Sequence, residues 1–285
     1  MPLFAIPPVA GRRVLITGAA RGIGAALARR LHSRGAKVAV AGIEEDLLAE
    51  VAHAVDGPWW SCDVTDRDQV EHTVEAAVDV LGGLDVVVAN AGVAAQLALV
   101  GGDPTIFERT LDVNVVGTYY TLRAAGPHIS HRDGYALAIS SLGGAVQVPL
   151  MGAYSASKAA VEALGNTFRQ EVGPSGARVG VAYFAELDTD MTSRGFGTEA
   201  ARQFLGDRTI TTVTPLDVGI DALERGIARR ARIVVAPSWV RPILPVRMVA
   251  QRVVDQAVRR RVADVVRIAR DEKVELTTPQ PERAS

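Results

Sequence analysis

The sequence predicts an α/β fold, a doubly wound parallel sheet of about seven strands with helices on both faces. Short apolar, β-branched runs alternate with longer amphipathic segments along the chain. Several of the runs are apolar at consecutive positions, as in strands covered on both sides. Such alternation implies right-handed crossovers, and therefore parallel strands.

The first run, Arg13–Thr17, enters a glycine cluster that opens a helix over 24–33. A strand over 37–41 and a helix over 44–54 follow, then a strand over 59–63 and a helix over 66–81. Next come a strand over 84–89, one long helix over 104–126, a strand over 135–140 and a helix over 154–172. The last strands span 178–183 and 232–236, flanking a helix over 217–229. No repeat or low-complexity linker interrupts the series, so the chain reads as a single domain over 1–285. Residues 191–215 read as a mobile substrate lobe, 237–245 as an irregular proline-rich connection, and 246–285 as a C-terminal helical extension. The extension is expected as one amphipathic helix over 247–270, with a frayed end from Thr277. It would cover a substrate lobe or subunit interface; acidic residues such as Asp255 and Asp264 interrupt its basic face and weaken a membrane-surface reading.

Composition narrows the function. With 48% hydrophobic and 22% charged residues, a sizeable core is expected rather than disorder. A net charge of −1 argues against nucleic acid as a partner. The single cysteine, Cys62, excludes an internal disulfide framework, fits a reducing cytoplasm, and reads as a small residue on a buried strand. The first thirteen residues lack a basic region and break at Pro7 and Pro8, which makes a poor signal peptide. The uncharged stretch 134–157 is too rich in serine, glycine and proline to span a membrane and reads as a strand and loop. A soluble, cytoplasmic protein is the expectation. The five histidines are scattered, so no metal is expected.

In such folds ligands sit at the carboxyl ends of the strands. After the first strand, Gly18, Gly22 and Gly24 stand between strand and helix, where close backbone approach and unspent N–H donors suit a diphosphate. TGAARGIG (17–24), CDVTD (62–66), NAG (90–92), LDVNVVGT (111–118), Ser140-Ser141 followed by YSASK (154–158), and DTDM (188–191) occur in this order. In order and spacing they resemble the short-chain dehydrogenase/reductase family, over residues 11–192, in its common branch with a C-terminal extension added.

The resemblance implies a Rossmann-like NAD(P)-binding domain and an oxidoreductase passing a hydride between nicotinamide and a secondary alcohol or ketone. Tyr154 would be the general acid/base, and Lys158 would bond the nicotinamide ribose and acidify Tyr154. The two are four apart at a helix start, so they share a face. A free phenol titrates near 10, and a neighbouring ammonium would lower that value. Ser141, thirteen residues earlier, would hold the substrate oxygen, and Asn114 would connect Lys158 to a water relay. Thr17, Gly18, Arg21, Gly22, Ile23, Gly24, Asp63, Val64, Asn90, Ala91, Gly92 and Thr189 would join Tyr154 and Lys158 in binding cofactor.

Where NAD-preferring relatives carry an acid at the end of the second strand, this chain has Gly42, and Arg21 supplies a base near the expected 2′-phosphate. This tilts the reading to NADP(H) over NAD(H), although Glu44 could restore an acidic anchor after a small loop shift. The family's usual Pro-Gly after the sixth strand is replaced by Phe184-Ala185. Ala94, Ala95, Leu97, Val148, Leu150, Met151 and Phe196 suggest an apolar substrate wall. The helices 104–126 and 154–172 resemble the family's subunit contacts, implying a homodimer or homotetramer. Two other readings stay open, a double-bond reductase on the same fold and a non-catalytic cofactor-binding regulator or scaffold. The close Tyr154–Lys158 spacing counts against the first, and the presence of both residues against the second.

Overall fold

The computed structural model describes residues 9–195, 198–205, 211–259 and 262–281. Strands β1 (Arg13–Thr17), β2 (Lys37–Gly42), β3 (Trp59–Ser61), β4 (Val86–Ala89), β5 (Tyr135–Ile139), β6 (Arg178–Phe184) and β7 (Ile233–Ala236) form one parallel sheet. Their order is β3-β2-β1-β4-β5-β6-β7, so the winding reverses between β1 and β4. Crossover connections leave that pair in opposite directions, and a crevice opens above its carboxyl ends.

Helices α1 (Gly22–Ser33), α2 (Glu45–Ala54), α3 (Arg67–Leu81), α4 (Pro104–Leu111), α5 (Gly117–Ile129), α6 (Gly152–Val172) and α9 (Leu216–Arg229) accompany the sheet. Neighbouring strand residues enter opposite cores: Val14 and Ile16 belong to one apolar cluster, Leu15 to the other. Leu27 and Leu223 join the first cluster, Val74 and Leu122 the second, so each face of the sheet is covered by helix. Local chemistry sets the helix ends. Asp66 caps α3 by accepting from the backbone N–H of Asp68 and Gln69, and Gly82 ends it in a left-handed conformation. Asp103 caps α4, whose first residue is Pro104.

Several boundaries depart from the pattern. The expected helix over 104–126 is split by a π-helical turn, Asp112–Val116. The strand predicted over 84–89 starts at Val86, because Asp85 is engaged with Arg13. The strand over 59–63 stops at Ser61, since Asp63 turns the chain by accepting from the Thr65 N–H and hydroxyl. The stretch 191–215 contains α7 (Asp190–Gly195) and α8 (Glu199–Leu205); Phe196 lies outside the described residues. The connection 237–245 holds a short α10 (Val240–Ile243).

The helix expected over 247–270 is two helices, α11 (Arg247–Val258) and α12 (Val262–Asp271), on either side of the run of arginines 259–261. The apolar face of α12 packs Val265 and Ala269 with Ala200 of α8 and with Ala98 and Leu150. Glu272 caps α8 by accepting from the N–H of Glu199 and Ala200. The fraying expected from Thr277 does not occur at that residue, which is buried and exchanges two hydrogen bonds with Ala94.

Arg13 ties the start of β1 to the approach of β4. Its Nε and Nη2 donate to the two carboxylate oxygens of Asp85 at 2.9 and 2.6 Å, and its backbone N–H adds a third bond at 2.9 Å. Burial would raise the Asp85 carboxyl, but the hydrogen bonds and charge of Arg13 hold it below the ordinary carboxylate value. A depressed native value means that the contribution is full above the unfolded value near 4 and is lost as pH falls through the native one. Asp85→Asn is expected to destabilise the fold at pH 7 by about 1–3 kcal/mol. Urea midpoints at pH 7 and pH 3 should fall further in the wild type than in the variant; equal falls would deny the pair this role.

Candidate active site

A cavity of about 920 Å³ occupies the crevice and is lined from the ends of β1, β2, β4, β5 and β6. At its floor, β1 runs into the glycine turn. Gly18 sits at φ +63°, and a Cβ there would lie 2.6 Å from the Ala91 Cα, so the turn after β1 touches the turn after β4. Asn90 fixes that contact by donating to Thr17 O at 3.0 Å and Gly18 O at 2.9 Å. The Thr17 hydroxyl accepts from the Asn90 N–H at 3.2 Å. Of the residues expected to bind cofactor, Gly18, Arg21, Gly22, Ile23, Asp63, Val64, Asn90, Ala91, Gly92 and Thr189 all line the cavity. Thr17 and Gly24 are not among its lining residues and act from beneath, shaping the turn.

Ser141, Tyr154 and Lys158 line the same cavity. Ser141 follows β5; its Oγ accepts from the Gly143 N–H at 3.1 Å and donates to Phe184 O at 3.3 Å. A Cβ built on Gly143 would touch both Ser141 Oγ and the Tyr154 ring at 3.5 Å, so that glycine lies between the two hydroxyl-bearing residues. Ser140 turns away, and its hydroxyl bonds Lys158 O at 2.7 Å. One turn along α6, the Lys158 Nζ lies 5.7 Å from the Tyr154 ring centroid and donates to Ile139 O at 2.9 Å. Among the described residues no carboxylate pairs with this buried ammonium, and burial lowers it to about 8. The same burial raises the Tyr154 phenol above its ordinary value, opposed by a hydrogen bond with Ser141. The expected acidification of Tyr154 by Lys158 combined the ammonium with the charge of an oxidised nicotinamide; within the chain's own residues, burial is the larger influence on the phenol.

Asn114 lies in the π-helical turn and is fully buried, outside the cavity lining. Its Oδ1 accepts from the Val93 N–H at 2.8 Å, and its Nδ2 donates to Val93 O and Ser157 Oγ, each at 2.9 Å. A Cβ on Gly92 would lie 3.2 Å from Asn114 Oδ1 and 3.3 Å from Lys158 Nζ, so a side chain there would press on both groups. Ser157 and the π-helical turn were not anticipated; the only sequence signal was an asparagine inside a predicted helix.

At the other end, Arg21 Nε donates to Glu44 Oε2 at 2.6 Å, a second contact joins the same two groups, and Asp190 lies 3.7 Å away. Asp63 forms an ion pair with Arg109 at 3.1 Å. Leu142, Val146, Trp239 and Ile243, which the sequence reading did not name, make an apolar wall with the α11 residues Ala250, Val253, Val254, Ala257 and Val258 of the extension expected to cover a substrate lobe or subunit interface. Of the wall residues it named, Ala94, Val148 and Met151 line the cavity, whereas Ala95, Leu97 and Leu150 are buried behind it. Cys62 is buried at the cavity edge, and burial raises its thiol to about 11. Among the described residues there is no group of ligands for a metal, and no helix is long and apolar enough to cross a membrane.

Residues 12–206 match the family described as short chain dehydrogenase. A glycine betaine reductase of Emericella nidulans is 36% identical over 203 residues, covering 69% of this chain and only 16% of that protein. The trans-4-hydroxycyclohexanecarboxylate dehydrogenase of Sinomonas cyclohexanicum is 33% identical over 203 residues, covering 66% of this chain and 78% of the relative. Among solved structures, a short chain dehydrogenase from Mycobacterium paratuberculosis bound to NAD is 30% identical with a TM-score of 0.71, covering 80% of this chain and 97% of that one.

The Asn114 network can be tested apart from chemistry. Asn114→Ala leaves the buried Val93 N–H and C=O without their side-chain partner, and should cost about 1–3 kcal/mol of stability. Denaturant unfolding of the variant measures this; an unchanged midpoint would mean that Val93 finds other partners.

Proposed function

The chain belongs to the short chain dehydrogenase family, and we propose that it carries out reversible hydride transfer between NAD(H) and an uncharged secondary alcohol or ketone with apolar substituents. The observation that carries this reading is the meeting of Ser141, Tyr154 and Lys158 in one cavity with the glycine turn.

The residues fit a dinucleotide. The backbone at Gly18 and Gly22 occupies left-handed conformations, with Gly22 at the start of α1, where unspent N–H groups suit a diphosphate. Ser155 Oγ is buried on the cavity lining with no partner among the described residues, and a bound polar group would satisfy it. Lys158 would hold the nicotinamide ribose, using ammonium protons beyond the one given to Ile139 O. When bound, the nicotinamide supplies the site that accepts or gives the hydride. Tyr154, kept protonated by burial, would give its proton to a carbonyl oxygen and recover it from the alcohol in the reverse direction. Ser141, fixed by the Gly143 N–H, would donate to that same oxygen.

The substrate class follows from the wall. The cations lining the cavity are Arg21 and Lys158, the first paired with Glu44 and the second assigned to cofactor. That leaves no described cation for a substrate carboxylate beside the apolar surface of Val146, Val148, Met151, Trp239 and α11. The Sinomonas relative, named for a hydroxycyclohexanecarboxylate, supports the secondary alcohol/ketone class; that substrate also bears a carboxylate, and the uncharged character proposed here rests on the cavity lining alone.

Cofactor choice turns on Arg21. The sequence tilted to NADP(H) through that residue, but Glu44 now neutralises it and would repel a 2′-phosphate while accepting from a 2′-hydroxyl. The NAD-bound structural relative supports the same direction. Glu44→Gln is expected to raise kcat/KM with NADPH relative to NADH by about tenfold or more, the scale of a charged hydrogen bond. A ratio unmoved by the substitution would remove Glu44 from cofactor selection.

Tyr154→Phe should abolish turnover of a ketone panel while NADH still quenches protein fluorescence. Turnover that survives the substitution would sink the proposed proton transfer. Lys158 is charged below about 8, so carbonyl reduction by the wild type should decline as pH climbs past that value, read from the kcat/KM profile.

A further inference from the structure

Beyond the matched residues 12–206, the chain returns to the cavity. After α12, Leu276 packs against the core cluster that holds Val93 and Val113. Thr277, 5% exposed, donates its N–H to Ala94 O at 3.0 Å, and its Oγ1 accepts from the Ala94 N–H at 3.0 Å. Ala94 lies two residues past Gly92, so this end of the segment is fixed beside the loop that follows β4. The other end is held by Arg109. Its guanidinium donates to Asp63 and Thr65 at 3.1 Å each and to Pro281 O at 3.4 Å. Residues 278–280 therefore cross from the Ala94 loop to the Asp63 side, and Thr278 and Gln280 line the cavity on the way.

We propose that this segment is part of the dinucleotide site, with Gln280 hydrogen-bonding the edge of the adenine base and the crossing strap slowing cofactor release. The proposal rests on the reading of the cavity as an NAD(H) site. The chemistry matches at each point. A carboxamide offers one donor and one acceptor side by side, the pattern complementary to the amino group and N7 of adenine; in hypoxanthine both positions accept, so turning the amide over does not restore both bonds. Gln280 now spends its amide N–H groups on carbonyls of its own segment, Thr278 O at 3.0 Å and Pro279 O at 3.4 Å, which a ligand can replace without opening the core. Asp63, the acid beside the same end of the cavity, is already tied to Arg109, so an uncharged partner from the segment supplements it there. On this proposal the segment, anchored at Ala94 and at Arg109 beside the cavity, has to yield before a dinucleotide leaves.

The test uses the full chain, with NADH binding read by fluorescence titration and release by stopped-flow displacement. The variants are Gln280→Ala, which removes the base contact, and Thr277→Val, which removes the anchor at Ala94. Gln280→Ala should weaken NADH by up to about tenfold, the scale of one hydrogen bond, with most of the change in the release rate. It should also erase the wild-type preference for NADH over the hypoxanthine dinucleotide, which carries an oxygen in place of the adenine amino group. Thr277→Val should speed release of both dinucleotides alike. Unfolding midpoints without cofactor should match wild type for Gln280→Ala, which separates a contact with ligand from a contribution to folding. If the wild type binds NADH and both variants bind and release it unchanged, the strap has no part in the site. If the wild type binds neither NADH nor NADPH, the dinucleotide reading itself fails and the strap proposal falls with it.

Discussion

Asn90 spends its amide protons on the backbone of the turn beside it, donating to Thr17 O and to Gly18 O. This pair of bonds joins the ends of β1 and β4 where the sheet reverses its winding. It acts with the Ala19 N–H bond to Ala41 O to fix the glycine turn where Gly18 passes over Ala91 too closely for a side chain to pack. Everything above the floor is measured from this contact: the start of α1, the loop to Ala94, and through Ala94 the strap from the far end of the chain. Half-buried on the cavity lining, the side chain meets a carbonyl with each of its amide hydrogens.

The same logic repeats one layer higher. Asn114 satisfies both backbone groups of Val93 and reaches Ser157, and Ser140 bonds the carbonyl of Lys158. Asn114, behind the cavity, and Ser140, on its lining, thus hold α6 against the β4 loop and the end of β5, and so set where Tyr154 and Lys158 stand. The π-helical turn is the geometric consequence. An extra residue per turn at Asp112–Val116 lets Asn114 point inward at Val93 while α4 and α5 keep their own contacts.

Much of this was legible in the sequence, and the rest was not for identifiable reasons. All seven strands were visible as apolar runs because a sheet buried on both faces leaves no room for polar alternation, and their ends erred by two residues where Asp63 and Asp85 turned to local partners and by one at β2, β5, β6 and β7. Ser141, Tyr154 and Lys158 were legible from their spacing, since one strand end and one helix face carry them. The split of the 104–126 helix was not, because a π turn costs one residue of register and leaves the apolar pattern nearly unchanged. The Arg21–Glu44 pair was hidden for a different reason. The two residues are 23 apart in sequence and meet only because β1 and β2 lie side by side. The wall supplied by α11 and the strap at Thr277 come from a part of the chain with no strand rhythm to anchor a register, so periodicity showed amphipathic character but not its partner.

The chemistry of the cavity follows from burial working in opposite directions on two neighbours. It raises the phenol of Tyr154, keeping its proton, and lowers the ammonium of Lys158 to about 8, making its charge easier to lose. A buried phenol held protonated is suited to give a proton to a carbonyl, whereas taking one from an alcohol requires added positive charge nearby. Lys158 Nζ is turned toward Ile139 O and sits 5.7 Å from the ring centroid. On the proposed roles, a protonated phenol serves the reduction direction, and the cationic form of the nicotinamide would add the positive charge that favours phenolate for oxidation.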